Sequence, residues 1–113
     1  MTLFRILLAL IFVTICGYTA VVVAHHGPNL VPVFFGDITK LMWPGQFNLD
    51  FACMLLLSGL WVSHRHRFRP VGLLLGLLAV VGGVTFLSLY LLIESFRTKG
   101  DIHALLLGQP AQP

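Results

Sequence analysis

The sequence predicts an all-α integral membrane protein, with three transmembrane helices and a shorter interfacial helix in the first loop. Three observations carry that reading. Hydrophobic residues make up 58% of the 113-residue chain and charged residues only 10%, at a mean hydropathy of +0.93, and a soluble surface needs far more charge. Apolar runs at about 3–24, 47–63 and 71–95 each reach the ~17–25 residues that cross a bilayer. Between the last two runs lies Ser63-His64-Arg65-His66-Arg67-Phe68-Arg69-Pro70. Each of its three arginines would cost about 2.5–3.5 kcal/mol in hydrocarbon. Arg65, Arg67 and Arg69 are therefore expected in water at a membrane face, as a cytoplasmic topology signal that turns the chain.

Taken in order, residues 3–24 form the first span, interrupted only by Arg5, Thr14, Tyr18 and Thr19. A cleavable signal is the competing reading, because Arg5 precedes the run and Val22-Val23-Ala24 are small. The run exceeds the usual ~7–15 apolar residues of such signals, which favours a retained helix. Residues 25–46 form the first loop, punctuated by Gly27, Pro28, Pro32, Gly36, Pro44 and Gly45. Within it 33–43 is too short to cross, and Asp37 with Lys40 would cost ~5–7 kcal/mol near the bilayer centre. A short helix lying in the interface is expected, with Phe34, Phe35, Leu41, Met42 and Trp43 toward lipid.

The second span, 47–63, opens with Asn48 and Asp50 as candidate caps and closes near Trp61, at aromatic-belt depth. Residues 71–93 carry no charge and end at Glu94-Ser95-Phe96-Arg97. In the tail, 96–113, Asp101 reads as the N-cap of a short surface helix over 102–107, stopped by Gly108 and Pro110, and 109–113 should be loose. The whole chain makes one membrane domain, 1–113.

In the third span Gly72, Gly76, Ala79 and Gly83 recur at steps of three or four. They predict a small-residue face for close helix packing, which continues to Tyr90 and Glu94. With three straight spans, His25, Asp50 and Glu94 fall near the outer boundary, and Tyr18 and Tyr90 lie slightly deeper. Tyr18, His25, Asp50, Tyr90 and Glu94 then make a candidate polar cluster. It is either an interhelical hydrogen-bond network or a pocket for a proton, an ion or a small ligand. His26 and His103 lie on the same side as further candidate ligands. No metal-ligand spacing supports a metal site. A bis-histidine haem fails, since His25 and His26 and the pair His64 and His66 are assigned to opposite faces. Cys16 and Cys53 form no CxxC pair and read as small hydrophobes. Aromatic and basic residues are not interleaved, which argues against nucleic acid, and no arrangement supports an enzyme or a cofactor.

The run Pro44-Gly45-Gln46-Phe47-Asn48-Leu49-Asp50-Phe51, followed by Leu57-Ser58-Gly59-Leu60-Trp61-Val62, resembles a class of small bacterial inner-membrane proteins of unknown function. The tail over 90–108 has a similar character. The resemblance implies a three-helix bacterial inner-membrane protein and carries over no catalytic residue. The expected role is a non-catalytic accessory or interaction subunit, bound by lipids and by other membrane subunits or copies of itself. The alternative is an ion-, proton- or ligand-handling protein. The positive-inside rule, at four cations against three, places the N-terminus in the cytoplasm and the C-terminus in the periplasm.

Overall fold

The computed structural model describes residues 1–108 and is all-helical over them, so the tail expected to be loose lies outside the described residues. Helices run over Thr2–His26 (α1), Leu30–Thr39 (α2), Trp43–Arg65 (α3), Pro70–Arg97 (α4) and Ile102–Leu107 (α5). Three of them, α1, α3 and α4, are long and apolar enough to cross a membrane, and α2 is the shorter helix of the first loop.

The second span begins earlier than 47 because Pro44, at the start of α3, has a fixed φ and needs no amide partner there. The helix therefore has 23 residues, about 34 Å, a comfortable crossing length. Neither Asn48 nor Asp50 caps it; Met42 occupies that place without a side-chain bond. Asn48 instead donates from Nδ2 to the Phe34 carbonyl at 3.1 Å. Gly45 fits against the backbone of Asp37 and Ile38. As one helix rises in number the other falls, so α2 folds back along the first turns of α3 instead of lying across its end.

Gly83 changes the third span. Its φ of 60° and ψ of −145° belong to a region open essentially to glycine alone, and they break α4 in its middle. The break is a reversal. The His66 side chain lies against Gly72, and its Nε2 is also 2.6 Å from the Tyr90 hydroxyl. In a straight helix Gly72 and Tyr90 would be about 27 Å apart, too far for one imidazole to touch both. Residues 70–82 therefore descend along α3, and residues 84–97 return. On the way down, Gly76 meets Gly59 and Ser63, and Gly83 meets Phe51 and Leu55.

The returning limb packs against α1. Arg5 donates to Ser95 through Nε to Oγ (3.0 Å) and Nη2 to the carbonyl (2.8 Å), and it stacks over Phe96. The N-terminal end of α1 thus sits beside the end of α4, although three straight spans would separate them. The core is Val62, Ala79 and Tyr90, with Trp61, Leu75, Phe86 and Leu87 packed around it. These residues come from α3 and from both limbs of α4, so the doubled helix is the centre of the molecule.

Candidate functional site

The doubling of α4 builds its polar site at the elbow. Gly59, Val62 and Ser63 turn toward α4 and are buried, and Arg65 follows them at the last turn of that buried side. Its side chain is 4% exposed and its partner Glu94 8%. Nη2 of Arg65 lies 3.3 Å from Glu94 Oε2 and Nη1 donates to the Tyr90 hydroxyl at 2.9 Å. Nε donates to the Leu105 carbonyl at 2.6 Å and Nη2 to that of Ala104 at 3.3 Å. Carbonyls in the last turn of a helix commonly lack backbone partners. Arg65 serves that of Leu105 and shares that of Ala104 with the Gly108 amide, 2.8 Å away, so one guanidinium ties α5 to α3 and α4. Arg97 completes the group, with Nη1 3.1 Å from Glu94 Oε1.

His66 is half-buried beside this pair. Burial, and then the Arg65 charge, hold its pKa below the ordinary 6.5, partly offset by Glu94. A neutral imidazole suits the geometry. The Tyr90 oxygen accepts from Arg65, and its own proton is available to His66 Nε2, 2.6 Å away, when that nitrogen carries none. Among the described residues every buried side-chain nitrogen and oxygen has a partner. The arrangement is a closed polar staple at the foot of the bundle.

This redistributes the cluster expected from the sequence. Tyr90 and Glu94 join Arg65 and His66 at the elbow end. Tyr18 and His25 are exposed on α1, and Asp50 is exposed on α3, which α1 does not touch. A straight third span would place Glu94 about one bilayer away from its position. Arg65 needs a second correction. It was expected to be hydrated with its neighbours, but it is enclosed, whereas Arg67 and Arg69 are exposed. His64 is exposed as well. Gly72, Gly76, Ala79 and Gly83 are all buried against α3 or at the turn.

Sequence reasoning missed Arg65, His66 and Ser95. A usable signal existed for Arg65, which continues the spacing of Gly59 and Val62. Another existed for the turn of α4, since the adjacent Gly82-Gly83 in mid-span marks a place where a helix can fold. Nothing local marks Ser95.

Two open, mostly apolar grooves flank α1 near the α4 turn. One, of about 460 Å³, is lined by Leu10, Ile11, Thr14, Ile15, Tyr18 and Val84. The other, of about 490 Å³, includes Cys16, Thr19 and Thr85. Among the described residues no three His, Cys, Asp or Glu side chains gather as a metal site would need. No family model matches the chain, and neither a curated protein nor a solved structure is similar to it.

Proposed function

We propose that this protein is a non-catalytic accessory subunit of a membrane complex in a bacterial inner membrane. The observation that carries the reading is the state of α1. A helix of 25 residues seats against α4 yet buries only Leu8, so nearly its whole length is offered to lipid or to another subunit. The staple below supports the same role, since it holds a rigid scaffold together and leaves outer faces free. Purification in mild detergent should retain a stoichiometric membrane partner. A chain that behaves as a lone monomer under those conditions overturns the reading.

The fold also bears on orientation. Arg5, Arg65, Arg67, Arg69, Arg97 and Lys99 gather at the elbow end, and Lys40 alone of the seven Lys and Arg lies at the other. Six against one is a stronger bias than four against three, and it favours a cytoplasmic elbow. Each limb of α4, 13 or 14 residues around Gly83, covers about 20 Å, short of the ~30 Å core. In this reading α4 enters and leaves by the cytoplasmic face, and the N-terminus and the α5 end both lie in the cytoplasm. The bacterial inner-membrane class that the α3 sequence resembles supports the location.

The second reading, proton handling, moves from the outer cluster to the staple, where hydrogen bonds link half-buried His66 through Tyr90 and Arg65 to Glu94. A pH-dependent activity of the purified protein lost in Glu94→Gln and kept in Asp50→Asn would favour it.

A further inference from the structure

We infer that the face of α3 carrying Asp50 docks a transmembrane helix of another protein, one that bears a lysine or arginine at the depth of Asp50. The inference rests on the accessory reading and names the chemistry of its partner. Along α3, Phe51, Leu55 and Gly59 meet α4, while Gly45 and Asn48 meet α2. At about 100° per residue, Asp50 points away from both neighbours. With it go Met54 and Leu57, 60% and 66% exposed. Asp50 is itself exposed and has no hydrogen bond or ion pair among the described residues.

Depth makes this unusual. Asp50 lies seven residues inside Trp43, the first residue of α3, which is about 10 Å along the axis. A carboxylate on one methylene cannot extend that far back to the headgroups, as a lysine would. An ionisable group at such a depth faces a partner or a wet cavity.

The chain itself supplies no counter-charge there. Six of its cations lie at the elbow end, and Lys40 sits beside Asp37 before α3 begins, 3.9 Å from its carboxylate. A second copy in the same orientation would bring only Asp50 and the exposed Tyr18 to that level, with the exposed His25 and His26 nearer the outer end of α1, and none of these is a fixed cation. Lipid tails bring nothing charged. Charge complementarity therefore selects a foreign helix with a buried cation.

Cys53 offers a direct test, being exposed and unpaired one turn from Asp50. In the full-length chain with Cys16→Ser, a benzophenone maleimide on Cys53 is photoactivated in native membranes and the captured peptide is sequenced. The expected product is an apolar segment of spanning length with an internal lysine or arginine. Capture should fall at least tenfold in Asp50→Asn, persist in Asp50→Glu, and return when Asp50→Lys is paired with an acidic residue at the partner's cation. Capture of a second copy, capture of a helix without a cation, or capture unchanged in Asp50→Asn each overturns the inference while leaving the accessory reading standing. Capture of lipid alone also overturns the inference, and overturns the accessory reading with it only where the chain purifies as a lone monomer in mild detergent.

Discussion

Arg65 has the environment of a core residue and the chemistry of a surface one, and that conflict sets its energetics. Breaking a buried pair by removing one partner strands the other charge, at about 3–5 kcal/mol. Arg65→Met and Glu94→Gln should each lower stability by that order in detergent unfolding. Arg65→Leu combined with Glu94→Leu should cost less than either single change, because no charge is left behind. Arg69→Gln, on an exposed side chain, should stay within about 0.5 kcal/mol. His66 supplies a pH dependence. Its folded pKa lies below the unfolded 6.5, so on acidification the unfolded chain takes up the proton first. Stability should be full above 6.5 and decline as pH falls through that value toward the lowered folded pKa. His66→Asn should flatten the decline in a thermal-unfolding series, whereas a decline unchanged in that variant would assign it to another group.

At the scale of the element, Gly83 decides the shape of α4. Any side chain there meets a positive φ and the Phe51 ring 3.1 Å away, so Gly83→Ala should cost about 1–3 kcal/mol or open the turn. Spin labels at Val71 and Ile93, both exposed, report which. In a straight α4 they stand about 33 Å apart, and the doubled helix predicts a much shorter distance that lengthens in any variant that opens the turn. Gly76 is the close approach on the descending limb, where a Cβ would meet Ser63 and the Gly59 carbonyl, the latter at 2.7 Å. Gly76→Leu should therefore separate α3 from α4. Some elements were legible from local chemistry. Asp101 caps α5 by accepting from the Ala104 amide at 3.3 Å, and Gly108 ends it in the left-handed conformation. The start of α3 was not legible, because Pro44 reads equally as loop punctuation and as a first helical residue.

For the whole molecule, doubling α4 brings both described ends and most of the positive charge to one pole. A reporter fused at the N-terminus and another after Gly108 should report the same compartment. Opposite compartments would restore a third full crossing and undo the orientation argument. The outer pole is more open by construction. The α4 turn reaches only the level of Phe51 and Leu55 on α3, and beyond it the first turns of α3 pack against α2. Three of the five residues of the expected polar cluster, Tyr18, His25 and Asp50, stay in that outer region on exposed surfaces, and the other two, Tyr90 and Glu94, joined the staple. Periodicity grouped Gly72, Gly76, Ala79, Gly83, Tyr90 and Glu94 on one stripe of a straight helix, whereas α4 breaks at Gly83 and buries these residues on two limbs and at the turn between them. It carried no information about where that stripe folds.

From the sequence alone came the helical class, the apolar segments, the elbow after α3 and the short capped helix near the end. Each follows from hydropathy or from chemistry within a few neighbouring residues. Only the tertiary structure decided that α4 turns back at Gly83, that Arg65 is enclosed with Glu94, and that Asp50 is left unpartnered. Those outcomes depend on one backbone rotation and on the distances it closes between residues far apart in the chain: Gly82-Gly83 marks where the helix can fold, and only the contacts across the fold decide that it does.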